Sequence, residues 1–153
     1  MLRILLFNAL LLGSCGYAIW RGGPPERYAG WLFLCGTLLT PLVASGLPAR
    51  YYQVETLIFG VDLFLMAALF WIACQADRLW PLFAAGLQLD TVGIHVLKML
   101  NSDMIRVTYA LLTIGWSYPI LIILAIGTLR HQRRVQRYGI DRSWTKRPSR
   151  QRI

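Results

Sequence analysis

Four polar side chains lie inside long apolar stretches of this sequence: Asp62, Gln88, Asp90 and His95. An ionisable group in the middle of a membrane helix costs about 2.5–3.5 kcal/mol on insertion scales, so we expect each of them to find a partner. A carboxylate and an imidazole at similar depth can pair, and such a pair could relay protons or hold a small ligand. The plainer interpretation is a buried polar contact that fixes the register of neighbouring helices. Both interpretations place the four residues in one candidate buried polar site.

The spacing of polar residues in the stretch that contains His95 indicates how it must be oriented. Gln88, Thr91, His95 and Lys98 are three, four and three residues apart, so they form one stripe along a helix. Asp90 lies about 200° from Gln88 around the same helix and points elsewhere. A helix with polar groups on two faces is poorly suited to lipid. We therefore expect the other helices to enclose it.

Composition excludes an ordinary soluble domain as the setting for these residues. The chain has 153 residues, of which 56% are hydrophobic and 15% charged, whereas a soluble domain carries about 25% charged residues. Runs of roughly 20 apolar residues predict membrane-spanning helices. We predict an all-α polytopic bundle of about five spans, or four if the fourth run does not cross, at residues 4–20, 28–47, 54–75, 79–100 and 105–129. The segment Arg21–Arg27, with two prolines and two glycines, is predicted to be a turn.

The positive charge is concentrated at one end of the chain. Residues 1–129 carry a net charge of +1, and residues 130–153 carry +8. Because basic flanks stay on the cytoplasmic side, we expect a cytoplasmic tail and, with five spans, an N-terminus outside. The first basic residues of the tail have helical spacing and should extend the last span among anionic lipid head groups: Arg130, Arg133, Arg134 and Arg137.

The remaining reactive residue types do not form a recognisable catalytic or metal site. Cys15, Cys35 and Cys74 are an odd number without ligand spacing. The residues ending at Cys15 loosely match a bacterial lipoprotein signal, but cleavage there would leave the basic tail outside. His95 and His131 fall at opposite ends of the membrane, too far apart to hold one haem. We therefore expect no enzymatic activity, no cofactor and no metal, and the tail lacks the aromatic interleaving typical of nucleic-acid binding.

Several short segments together resemble a known group of proteins. They are the turn at 21–27, the junction at 76–83 (ADRLWPLF), Gln88, His95 and the run RHQRR at 130–134. In these segments the chain resembles a group of small polytopic membrane proteins of α-proteobacteria. The resemblance implies a multi-pass location in the bacterial inner membrane. It implies no activity and no residue roles, since none is known for the group.

Two functional hypotheses follow from these patterns. The first is a non-enzymatic accessory or scaffolding component that packs beside a partner membrane protein, since Gly36, Thr40 and Ala44 form a small-residue ridge that permits close helix approach. The alternative is a small-molecule or proton-handling protein that uses Asp62, Asp90 and His95.

Overall fold

Helices account for almost all of the chain that the computed structural model describes, namely residues 2–43, 56–100 and 106–139. These residues are 93% helical and include no strand. The helices are α1 (Leu2–Arg21), α2 (Pro24–Val43), α3 (Thr56–Gln75), α4 (Trp80–Leu100), α5 (Arg106–Gly115) and α6 (Ser117–Tyr138). The predicted all-α helical bundle is confirmed.

Three lengths of helix in the described residues are long and apolar enough to cross a membrane. They are Leu2–Arg21, Thr56–Gln75 and Val107–Tyr138, the last of which combines most of α5 with α6. Each contains a window of at least 18 residues with high mean hydropathy and few charges. By length and composition, the chain therefore has the helices of an integral membrane protein.

The helices pack side by side in a closed order. Helix α1 packs against α2 and α6, α2 against α3, α3 against α4, and α4 against α5 and α6. Contacts from the last part of α1 to α6, and between the starts of α2 and α4, mark one end of the bundle. We call the end with the start of α4 and the finish of α6 the tail end. The opposite end, where Asp62 and His95 lie, is the Asp62 end.

The connection between α1 and α2 is shorter than the sequence predicts. Helix α2 begins at Pro24, so only Gly22 and Gly23 separate it from α1, and the predicted turn over Arg21–Arg27 is wrong in its second half. Proline is favourable in the first turn of a helix because its φ angle is already helical and no N–H is needed there. The Arg27 amide donates to the Gly23 carbonyl at 3.0 Å, which closes that first turn.

Helices α5 and α6 are one helical length interrupted at Trp116. Pro119 has no N–H, so it cannot donate to the Gly115 carbonyl four residues earlier. The next bond along the helix, from the Ile120 amide to the Trp116 carbonyl, is long at 3.4 Å. Proline thus explains the interruption.

Small residues allow two pairs of helices to approach closely. A Cβ on Gly36 of α2 would stand 3.1 Å from the Leu65 side chain of α3, and a Cβ on Gly127 of α6 would stand 2.9 Å from the Trp80 ring of α4. The described part of the small-residue ridge therefore packs inside the chain itself. Ala44, its third member, lies outside the described residues.

Helix α6 continues well past its apolar part. It ends at Tyr138, where Gly139 adopts a φ of 72° that favours glycine, and the Gly139 amide donates to the Val135 carbonyl at 2.9 Å. The four arginines at 130, 133, 134 and 137 therefore lie on the helix, as their spacing predicts. The other basic residues of the tail lie outside the described residues.

Candidate functional site

A carboxylate on α3 connects two polar side chains of α4. Asp62 accepts a hydrogen bond from Gln88 Nε2 at its Oδ1, with a distance of 3.0 Å. Its Oδ2 lies 3.0 Å from His95 Nε2. Gln88 and His95 are seven residues apart, close to two helical turns, so both face α3 from the same side of α4. Asp62 thus connects α3 to two positions on α4 that are about two helical turns apart.

A tyrosine on α5 extends this network from the other side of the histidine. The Tyr109 hydroxyl lies 2.7 Å from His95 Nδ1, and the two rings meet edge-to-face with centroids 5.5 Å apart. His95 and Tyr109 are each only 2% exposed, whereas the Asp62 side chain is 18% exposed. We call Asp62, Gln88, His95 and Tyr109 the Asp62 network. Its three ionisable groups form a carboxylate–imidazole–phenol chain that can pass protons along hydrogen bonds.

The Asp62 network opens onto a half-open cavity of about 380 Å³ between the helices. This volume lies in the range of small-molecule sites. The wall carries more apolar than polar surface, with hydroxyl and amide groups spread among aliphatic and aromatic side chains. The residues around it are Arg3, Ile4, Phe7, Asn8, Thr37, Thr40, Pro41, Ile58, Asp62, His95, Tyr109, Thr113, Ile114, Ser117 and Tyr118.

The structure brings three of the four predicted site residues together and leaves out the fourth. Asp62, Gln88 and His95 are in direct contact, but Asp90 is exposed on the outer side of α4. The reason is helical geometry, because Asp90 is two residues from Gln88 and so faces away from α3. The expected enclosure of α4 is found on one face only: the stripe of Gln88, Thr91, His95 and Lys98 is buried, whereas the face that carries Asp90 is exposed.

A second buried carboxylate lies at the tail end. Glu26, in the first turn of α2, is 0% exposed, and its Oε1 accepts a hydrogen bond from the indole Nε1 of Trp80 at 2.9 Å. Its Oε2 has no hydrogen-bond partner among the described residues. A Cβ on Gly23 would stand 3.0 Å from this oxygen and 2.9 Å from the His131 ring of α6. Glu26 is thus enclosed where α1, α2, α4 and α6 converge.

Neither the role of Tyr109 nor the Glu26–Trp80 contact has a clear signal in the sequence. Tyr109 is one of several tyrosines in the chain, and its only signal was a polar atom in an otherwise apolar run. Glu26 lies within the turn that the sequence predicts, where a carboxylate is expected to be exposed. Both residues acquire partners only through the packing of helices distant in sequence.

The arginines of α6 divide into two pairs. Arg130 and Arg134 line a cleft at the tail end, although Arg130 is itself exposed, whereas Arg133 and Arg137 lie outside the cleft. Nearby, the Tyr17 hydroxyl donates to the Gln132 Oε1 at 3.0 Å and connects α1 to α6. The predicted head-group residues therefore have two different environments.

Among the described residues, no cluster of three or more histidine, cysteine or acidic side chains is arranged to hold a metal ion.

The sequence matches no protein-family model, and no curated protein and no solved structure shows a significant similarity to it. The function of this chain is therefore inferred from the geometry of the sites described above.

Proposed function

We propose that this chain is a multi-pass membrane protein that binds a small molecule in the cavity beside the Asp62 network. The observation that carries the proposal is the position of Asp62. Both of its oxygens are held by α4, yet its side chain remains partly exposed where the cavity begins. A carboxylate whose only role was to join two helices would gain from complete enclosure, because water weakens such contacts.

The wall of the cavity indicates the kind of ligand. Apolar side chains such as Phe7, Ile58 and Ile114 supply most of the surface, and the Asp62 network adds a carboxylate, an imidazole and a phenol to the wall. Pockets of this type bind molecules with an apolar body and a polar group that the convergent side chains orient. We propose a ligand of this class, whose polar group exchanges hydrogen bonds with the carboxylate–imidazole–phenol chain. The proposal assigns the chain no catalytic step.

The location forms part of the same proposal. Five crossings, formed by α1, α2, α3, α4 and the α5–α6 length, would place the two bundle ends on opposite membrane faces. The excess of basic residues after Leu129 favours a cytoplasmic tail end. The Asp62 cavity would then open towards the outer side of a bacterial inner membrane.

Mass spectrometry of the purified full-length chain tests ligand binding. The chain is extracted in polymer nanodiscs, which retain native lipids and small ligands, and small molecules are compared between Asp62→Asn and Asp90→Asn. Each variant replaces a carboxylate by an amide within an apolar stretch, and only Asp62 borders the cavity. We expect a bound molecule in the parent chain and in Asp90→Asn, and its loss from Asp62→Asn. An identical small-molecule content in all three would contradict the proposal.

An accessory role is a second candidate, favoured by Asp90. This carboxylate is exposed at the middle of α4, between the exposed apolar side chains of Phe83 and Leu97. Facing lipid, it would cost about 2.5–3.5 kcal/mol. We propose that a helix of a partner membrane protein covers it with a basic or hydrogen-bonding side chain.

Replacing Asp90 by leucine distinguishes contact with a partner helix from contact with lipid. If a partner covers Asp90, Asp90→Leu should release that partner during native electrophoresis. If the face contacts only lipid, the variant should assemble as before and insert more stably.

A further inference from the structure

We propose that the cleft at the tail end binds the head group of an acidic phospholipid. The cleft has a volume of about 570 Å³ and lies between the α3–α4 junction and α6. It is distinct from the cavity at the Asp62 end and shares no lining residue with it. For brevity we call it the arginine cleft.

Three arginines from two separate elements give the arginine cleft its charge. Arg78 comes from the junction between α3 and α4, and Arg130 and Arg134 come from successive turns of α6. Asp77 is the single acidic residue in the lining, so the lining side chains carry a net charge of +2. Arg78 also donates from Nη1 to the Asp77 carbonyl at 3.2 Å, which holds its side chain near the junction. Guanidinium groups are well suited to phosphate because they present several donors in a planar fork.

The rest of the lining is apolar and suits the upper part of acyl chains. Phe70, Leu79 and Leu82 border the cleft, and each of these side chains is more than half exposed. A soluble phosphate ion has no apolar part that could contact these side chains. A phospholipid has an anionic group directly attached to apolar chains, and so matches both halves of the lining.

The depth of the cleft agrees with this assignment. Trp80 contacts Gly127 of α6, close to the end of the apolar part of that helix. Arg130 follows about 4–5 Å further along the helix axis, and Arg134 about 10 Å further, at a rise of 1.5 Å per residue. The head-group layer is roughly 5–8 Å deep on each side of a bilayer. The two arginines therefore fall within or next to that layer when Trp80 lies at the boundary of the hydrocarbon.

Native mass spectrometry of the delipidated full-length chain in detergent tests this site. Dioleoyl phosphatidylglycerol is titrated into the parent chain and into two double variants of α6. Arg130→Gln with Arg134→Gln removes two charges from the cleft, and Arg133→Gln with Arg137→Gln removes two from positions of the same helix outside the cleft. We expect the first pair to weaken lipid binding at least about tenfold, and the second to change it by no more than about twofold.

Three further measurements make the result decisive. Arg78→Gln should weaken binding of the same lipid although it leaves α6 unchanged, which keeps the proposal testable if the double variant does not fold. Phosphatidylcholine should bind at least about tenfold more weakly than phosphatidylglycerol. Glycerol 3-phosphate, which has the same phosphate chemistry without acyl chains, should not displace the lipid at equal concentration. Equal losses in both double variants would indicate diffuse electrostatic attraction, and displacement by glycerol 3-phosphate would indicate a site for soluble phosphate; either result would overturn the proposal.

Discussion

Two carboxylates that contact neighbouring helices at opposite ends of this bundle have very different surroundings. Glu26 at the tail end is fully enclosed, and a tryptophan indole holds one of its oxygens. Asp62 has both oxygens engaged by α4, yet its side chain is partly exposed beside a cavity of about 380 Å³. Asp62, both of whose oxygens are engaged, is thus more exposed than Glu26, which has one oxygen engaged.

This difference indicates what each carboxylate contributes. An enclosed polar group in contact with a tryptophan fixes the positions of helices, and any change there affects packing. An accessible carboxylate whose orientation is already fixed can bind a further molecule with little additional loss of conformational entropy. We therefore expect substitutions at the tail end to act mainly on stability, and substitutions at the Asp62 end to act mainly on ligand binding.

The largest expected effect is the loss of Glu26. Glu26→Ala leaves the Trp80 indole N–H buried without its acceptor and creates a void, and we expect it to lower the free energy of unfolding by about 2–4 kcal/mol. Thermal unfolding in mild detergent measures this change. Asp77→Ala is the control, since the same kind of truncation at an exposed carboxylate outside the helices should alter stability by less than about 0.5 kcal/mol. If both variants melted alike, Glu26 would have no special structural role.

Adding volume at the tail end should be nearly as harmful. A valine at position 127 would collide with the Trp80 ring, so we expect Gly127→Val to destabilise the bundle by about 1–3 kcal/mol. Gly60→Val is the matched change on α3 near the Asp62 end, where no atom lies within 4 Å of the added Cβ. Denaturant titration of the two variants should show a clear loss for the first only. A similar loss for both would mean that close packing is not confined to the tail end.

A smaller effect on stability, with a larger effect on binding, is expected for Asp62. Asp62→Asn keeps the shape and one acceptor oxygen, so we expect it to lower stability by about 1–2 kcal/mol. The bound molecule should nevertheless be lost from this variant and retained in Glu26→Ala under conditions where the latter is folded. If the ligand disappears from both variants or from neither, the proposed difference between the two ends is wrong.

The smallest expected effect concerns the contact between α1 and α6. Tyr17→Phe removes one partly buried hydrogen bond to Gln132, and we expect a loss of about 0.5–1 kcal/mol. Tyr138→Phe, at an exposed tyrosine on α6, should have no measurable effect. Thermal unfolding of Tyr17→Phe and Tyr138→Phe under identical detergent conditions measures the difference in stability. A larger loss for Tyr138→Phe would show that surface tyrosines matter more than this contact.

The periodic features of the fold could be predicted from the sequence because they depend on one helix at a time. The stripe Gln88, Thr91, His95 and Lys98 is buried as its spacing indicates, and α6 extends through Arg137 as predicted. The predicted turn over Arg21–Arg27 misses the start of α2 because prolines are typical both of turns and of the first turn of a helix. In this position they instead begin a helix, and Glu26 is carried into the bundle with them.

The candidate site was only partly predictable because its contacts join different helices. The spacing within α4 puts Gln88 and His95 on one face and Asp90 on another, but it does not indicate which neighbour lies opposite each face. Tyr109 reaches His95 only because α5 packs against α4 at that level. Information of this kind resides in tertiary packing and has no local signature in a single sequence.

The interruption at Trp116 has a mechanical consequence. A helix lacking a backbone hydrogen bond next to a proline has lower bending stiffness at that point than an intact helix. The short arm α5 carries Tyr109 and Thr113 on the cavity wall, whereas the long arm α6 is anchored against Trp80 through Gly127. Small angular displacements of the short arm would therefore change the volume of the cavity while leaving the anchor in place. Bending at Trp116 would thus act on the wall of the cavity, while the packing of Gly127 against Trp80 would be unaffected.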